Sequence, residues 1–412
     1  MFFSNRVHKY SLNSTEFFEN PFAVWQQMHR DGAVVPSRIP LMGRAWFTTS
    51  WQATSDLLKD QNRFARDVRR AGRNAQLPFF VNWMLPRRFK MLAENNILTS
   101  DHDDHRRLRF LVDEAFRRTE IESLLPRINA VSQQLIDDLA AQAKSNGGVV
   151  DLNAYYSRQL PLTIICEVLG LPEEDQPKFK KWFRAFAEVK SIGSLFKLIP
   201  GVNKLLGYLR ERFETVRNRP EPGLISSLVQ IEQSGQQLSN DELTALVFVL
   251  LVAGHETTVH LLNAAIRVLL QQETQRERLL SDWSLVDSAV DEVLRFDSTV
   301  YISKPRFVVD DCEFHGAKLK RGESIIAILG AANADPDRFS EPGAFDINRP
   351  RNYHMTFGSG PHVCLGMKLA KAECAVALQQ LFTQFPKLEL VDFQWQRRIG
   401  MMGVKNLNVR LG

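Results

Sequence analysis

The residues best suited to chemistry lie in Phe357-Gly-Ser-Gly-Pro-His-Val-Cys364-Leu-Gly366, followed from Met367 by a helical apolar pattern. Two glycines let the chain turn tightly, and a helix starting just after Cys364 aims free N–H groups and its positive dipole end at the sulfur. Such surroundings favour thiolate over thiol. Alone, the position equally fits a buried, inert cysteine at a turn, the commoner outcome for a lone cysteine. A dinucleotide loop on Gly358 and Gly360 is weaker, because Val363 fills the third glycine position and no strand leads in.

A second group is Ala253-Gly-His-Glu-Thr-Thr258, inside the longest helical pattern. His255 and His260 are about 140° apart around a helix, so the zinc-protease spacing is not met. Gly254 should weaken the helix and Thr257 can bond an upstream carbonyl, so a local bulge is expected. Glu256 beside Thr257 in a widened groove is a proton-delivery arrangement, and a solvated Glu beside a core Thr is the alternative. Glu292 and Arg295, at i, i+3, match many surface pairs and say little by spacing alone. His105 and Arg109 share a helical face, and with Arg306 and His362 they could hold the carboxylates of a dianionic cofactor; solvated surface charges would look the same.

These residues need a scaffold, and helical periodicity supplies most of it. Apolar spacing predicts helices over Asn20–His29, Asp104–Phe116, Ile121–Ala143, Leu160–Val168, Gln176–Val189, Asn203–Arg217, Asp241–Gln271 and Leu285–Phe296, the longest capped by Asn240 and Asp241. Strand-like stretches are Ala45–Thr49, Arg306–Val309, Cys312–Phe314, Ser324–Leu329 and a hairpin after Leu388. The expectation is one mainly α domain over residues 1–412, a large helical body with a small β-rich region, and not a doubly wound sheet. The irregular stretch from Asn333 to Gly366 is long enough to be functional.

Composition narrows the class. With 44% hydrophobic and 24% charged residues, the 412-residue chain is globular rather than disordered. Four scattered cysteines make neither a disulfide framework nor a zinc site, and a reducing cytoplasm is expected. The N-terminal apolar run ends after Phe3, and the longest, Leu243 to Gly254, is broken by Thr244, so no signal peptide or transmembrane anchor is expected. A net charge of +5 is too small to mark a nucleic-acid binder.

Taken in order, these motifs identify a resemblance to the cytochrome P-450 family of haem-thiolate monooxygenases, running from Asn20-Pro-Phe to the C-terminus. It rests on the cysteine loop, the acid–alcohol helix motif, the Glu292/Arg295 and His105/Arg109 pairs, and a meander of the form NxDPxxFxxPxxFDxxR from Asn333 to Arg349. Departures are Pro361, at a variable loop position, and His102, where relatives often carry proline. The resemblance implies haem b (iron protoporphyrin IX) with Cys364 as axial thiolate and metal ligand, pushing electron density to the iron. It places Phe357 against the thiolate side, and His105, Arg109, Arg306 and His362 on the propionates. Glu292, Arg295 and Arg349 would form a buried network bracing the loop, while Thr257 hydrogen-bonds dioxygen and Glu256 feeds protons through water.

The implied activity is insertion of one oxygen atom into a C–H or double bond of a hydrophobic small molecule by a cytoplasmic, monomeric enzyme. Electrons come from NAD(P)H through a separate ferredoxin or flavodoxin-type donor, since 412 residues leave no room for a fused redox domain. The alternatives are a hydrogen-peroxide-using peroxygenase, against which Glu256 and Thr257 argue, and a non-catalytic haem sensor or carrier.

Charge placement adds an expectation about substrate. Arg63 to Lys90 carries net +7 and Lys178 to Arg219 net +8, against −10 for the rest. By resemblance both flank the substrate entrance, where Phe79, Phe80, Trp83, Phe179, Trp182, Phe183, Phe186, Leu195 and Phe196 would meet a hydrophobic body and the cations an anionic head. Solvated outer faces, or a lid resting on an anionic membrane, are the alternatives.

Overall fold

Asn20 caps a helix that begins at Pro21, and from there helices make up most of the computed structural model, which describes residues 9–39, 43–73, 92, 96–117, 121–187, 199–233 and 238–412. Eight helices frame the site: α1 (Pro21–Asp31), α2 (Trp51–Lys59), α3 (His102–Arg117), α4 (Ile121–Ser145), α5 (Gln159–Leu169), α6 (Asn240–Gln271), α7 (Val286–Asp297) and α8 (Met367–Gln384). The strands are β1 (Val34–Ile39), β2 (Gly43–Thr48), β3 (Phe64–Ala65), β4 (Val149–Asp151), β5 (Arg306–Val308), β6 (Cys312–Phe314), β7 (Ala317–Leu319), β8 (Ser324–Ala327), β9 (Glu389–Trp395) and β10 (Val404–Arg410).

The expected β-rich region is present, but it is not confined to the C-terminal half. The five-stranded sheet runs β1-β2-β8-β5-β3, so early strands pair with late ones, with β2 and β8 parallel. Pro36 hides β1 from a periodicity reading; it is tolerated because β1 is an edge strand. The other sheets are β4-β10-β9 and the β6-β7 hairpin.

The cap of α6 is Ser239, one residue before the expected pair. Its Oγ accepts from the Glu242 N–H while the Glu242 carboxylate accepts from the Ser239 N–H, a reciprocal capping box. Leu261, Leu262, Ala265 and Ile266 of α6 are buried in one core with Val290 and Val293 of α7 and Leu378 and Leu381 of α8. By length and composition alone α6 is long and apolar enough to cross a membrane, a test that buried core helices also pass. Over half of its most apolar window is buried by protein, as in a core helix.

Candidate functional site

The cysteine loop is held from both ends. The Cys364 N–H donates to the Phe357 carbonyl at 2.9 Å and the Gly358 N–H to the Met355 carbonyl at 2.7 Å. Gly358 and Gly360 have φ of 74° and 72°, and a Cβ on Gly360 would lie 2.7 Å from the Leu58 carbonyl oxygen, so only glycine lets the loop lie against the end of α2. The loop ends at Gly366, where α8 starts. The environment of Cys364 differs from the expectation: burial pushes its thiol up, and the Gly366 N–H and the Arg109 charge only partly reverse this. The protein alone keeps the thiol, whereas a coordinated metal would deprotonate it outright.

Beside the loop lies a cluster of cationic groups. The His105 and His362 rings are 3.9 Å apart, and Arg66 and Arg306 lie within electrostatic range of both. Burial first, then the Arg109 and Arg66 charges, lowers His105 to about 4; burial followed chiefly by Arg66 drives His362 lower still. Burial and its neighbour Arg306 bring Arg66 down to about 9, and burial brings Arg306 to about 10. Arg306 donates to the Phe64 and Leu58 carbonyls at 3.0 and 2.9 Å, yet its Nε and the His362 Nε2 are buried without a partner. Buried donors and depressed cations together need an anion with several acceptor oxygens. Arg109 plays a different part here: its Nη1 donates to the Val363 carbonyl at 2.8 Å and its Nε to Asp113 at 3.1 Å, bracing the loop. His102, at the start of α3, has φ 47°, which no proline could adopt.

Glu292 and Arg295, uninformative by spacing, are fully buried. All five Arg295 donors are used, two on the Glu292 carboxylate at 2.7 and 2.8 Å and three on the Asn333, Pro342 and Ala344 carbonyls. Glu292 also accepts from Arg349, Asn352 and the Asp346 N–H. The pair thereby ties α7 to the segment leading into the cysteine loop.

On α6 the expected bulge is absent. The helix is regular throughout, and the Thr257 hydroxyl donates to the Ala253 carbonyl at 2.6 Å. Gly254 serves packing instead, since a Cβ there would lie 3.0 Å from the Ile165 side chain of α5. Glu256 is ion-paired with Arg398, from the segment joining β9 and β10, at 2.5 Å. Spacing could not reveal this partner, 142 residues away. His255 bonds the Arg158 carbonyl at 3.2 Å, and burial lowers His260 to about 3, so both are neutral core groups.

Part of the charge expected at a basic entrance is paired with acids where it is described. Arg63, Arg69 and Lys178 pair with Asp60, Asp67 and Asp175, and Arg212 and Arg217 with Glu221 and Glu232. Phe179 is buried against Trp182 and Tyr208 in the core instead of facing an entrance. Phe79, Phe80, Trp83, Leu195 and Phe196 lie outside the described residues, as do the side chains of Phe183 and Phe186.

The cytochrome P-450 family model matches residues 78–395. This chain is a cytochrome P-450. It is 33% identical to the polyketide biosynthesis cytochrome P-450 PksS of Bacillus subtilis, with 96% of this chain and 97% of that protein covered. The crystal structure of myxobacterial CYP267B1 in complex with myristic acid superposes with TM-score 0.88 at 33% identity, covering 97% and 98% of the two chains. P450BioI in complex with an acyl carrier protein ligated to hexadec-9Z-enoic acid superposes with TM-score 0.85 at 27% identity, covering 96% and 100%. Its cofactor is therefore haem b and its reaction class monooxygenation. The residues present fit that group: two propionates are what the unpartnered Arg306 and His362 donors need, next to the one cysteine in a glycine loop.

One buried acid, on the helix that follows the cysteine loop, sets a pH dependence. Glu373 on α8 is 2% exposed, its Oε2 has no partner, and burial raises it from 4.5 to about 8. The folded state therefore binds this proton more tightly than the unfolded chain. The stability it contributes is complete below the unfolded value and is lost as pH rises through the folded one. Urea unfolding should show wild-type stability falling by roughly 3 kcal/mol between about pH 5 and pH 8 relative to Glu373→Gln. Parallel pH curves for the two proteins would show that Glu373 is not protonated in the fold.

Proposed function

We propose that this cytochrome P-450 hydroxylates or epoxidises a hydrophobic small molecule, with Cys364 as the residue that would hold the iron through its thiolate and electrons delivered from NAD(P)H by a separate ferredoxin or flavodoxin-type protein. The observation that carries the reading is the juxtaposition of the Cys364 loop with buried cationic donors lacking an anion. When bound, haem supplies the reduction and cleavage of dioxygen. Everything else falls to the chain. Arg306, His362, His105 and Arg66 would hold the propionates, Arg109 would fix the loop and reach the same edge, and Phe357 would cover the sulfur side.

On α6, the Thr257 hydroxyl, which donates to the Ala253 carbonyl, would be free to turn and donate a hydrogen bond in the reaction, and Glu256 would relay protons through water. Glu256 must first leave its ion pair with Arg398. The acid–alcohol pair favours dioxygen over peroxide as oxidant, because peroxide brings its own protons. The matched relatives, bacterial proteins aligned over nearly the whole chain, support one domain over residues 1–412, acting in the cytoplasm. Two structural relatives solved with fatty-acyl ligands support an elongated apolar substrate.

Thr257→Ala should leave substrate binding within about twofold of wild type and lower product formed per NAD(P)H by about tenfold, the balance appearing as peroxide or water. Product, cofactor oxidation and peroxide measured in parallel decide it. Unchanged coupling would make Thr257 a packing residue.

A further inference from the structure

We infer that Arg398 is a positioning residue for the proton relay: it parks the Glu256 carboxylate on a different side of α6 from Thr257, a role resting on the monooxygenase reading above. Successive residues of a helix point about 100° apart, so the acid and the alcohol leave α6 in different directions. Thr257 shares its side with Ala253, four residues back, where Ala253 is exposed and Thr257 half-buried. Glu256 shares its side with His260, Asn263 and Arg267, at spacings of four, three and four, and together they form a polar stripe.

That stripe faces the β9–β10 hairpin. Arg267 donates to Asp297 at 2.5 Å, and its guanidinium lies 4.8 Å from the ring centre of Trp395 on β9. Asn263 donates to the Asn153 side chain at 2.8 Å, and Asn153 in turn to the Lys405 carbonyl of β10 at 2.8 Å. A Cβ on Gly403 would lie 2.3 Å from the His260 ring, so only glycine lets the hairpin approach α6 this closely. The remaining member of the stripe is Glu256, and it meets Arg398.

The backbone of Arg398 is pinned, which sets where its side chain can reach. Its carbonyl accepts from the Tyr301 hydroxyl at 3.3 Å and from the Met401 N–H at 3.4 Å. The same turn is tied to the chain before β5, the Tyr301 N–H donating to the Gly400 carbonyl at 3.1 Å and the Met402 N–H to the Thr299 carbonyl at 2.9 Å. From this base Nη1 donates to Glu256 at 2.5 Å, and no other carboxylate among the described residues pairs with Arg398. The acid therefore rests against the hairpin and reaches the alcohol only when the ion pair opens, so Arg398 restrains proton delivery through the position of Glu256. Without substrate, delivered protons carry dioxygen to water, which takes four electrons and four protons; undelivered, dioxygen leaves as peroxide, which takes two of each.

The test measures NADPH oxidised, dioxygen consumed and peroxide formed, without substrate, by haem-loaded wild type, Arg398→Met, Arg398→Lys and the double variant Arg398→Met/Glu256→Gln, each supplied with a plant-type ferredoxin and its reductase. Arg398→Met should raise the ratio of water to peroxide about fivefold, the release of an ion pair at the upper end of the exposed range. Arg398→Lys keeps the pair and should return the ratio to that of wild type, and the double variant, which has no acid to release, should show no rise. An unchanged ratio in Arg398→Met, or the same rise in the double variant, overturns the proposal. Poor haem loading of Arg398→Met and Arg398→Lys alike makes Arg398 a structural part of the hairpin and also overturns it. With a thiolate-type carbon monoxide band in wild type, these failures refute the role of Arg398 alone; absence of that band refutes the monooxygenase reading and this role with it.

Discussion

Glu292→Ala should yield almost no soluble, haem-loaded protein. Removing the carboxylate leaves the Arg295 guanidinium fully buried with two of its donors unpaired, and strips Arg349 and Asn352 of their acceptor. Losing one partner of a buried pair costs about 3–5 kcal/mol. Against a total stability of about 5–15 kcal/mol, this threatens the fold itself. Arg295→Lys should fare little better, because three donors on a flexible stem cannot serve a carboxylate and three carbonyls at fixed positions. Glu292→Gln retains one acceptor and removes the negative charge, so it should give intermediate yields. Soluble yield and the haem-to-protein ratio are the measurements; full loading of Glu292→Ala would mean that the network does not support the cysteine loop.

The same pair shows what sequence could and could not say. Glu292 and Arg295 by spacing alone describe any surface helix, and only a companion set of motifs, beginning with the Cys364 loop, marks them as buried. Helices such as α3, α4 and α6 were legible because each carries a sustained apolar face. β1 was not, because Pro36 breaks the pattern and its pairing with β2 is a tertiary fact. The alcohol and the acid of α6 were legible as letters, but the Arg398 partner of Glu256 comes from a distant hairpin and leaves no local trace.

Charge was the least legible property. Counting Lys and Arg along Arg63 to Lys90 and Lys178 to Arg219 suggests an open basic entrance, whereas the fold brings acids to Arg63, Arg69, Lys178, Arg212 and Arg217. Arg66 sits inside one of those segments and is instead buried beside His105 and His362.

Cys364→Ser should abolish the thiolate-type spectrum while leaving the apoprotein folded. Cys166 and Cys374 are buried in the core, and Cys312 lies in the β6-β7 hairpin, so no other thiol is positioned at the cationic rim. Serine keeps the Cys364 N–H bond to the Phe357 carbonyl and fits the same turn, so the loop should survive. Its hydroxyl ionises far less readily than a thiol and cannot replace a thiolate donor. The decisive measurement is the reduced carbon monoxide difference spectrum of wild type beside single Ser variants of Cys166, Cys312, Cys364 and Cys374. The thiolate-type band should disappear in Cys364→Ser alone, and its persistence there would contradict Cys364 as the iron's ligand.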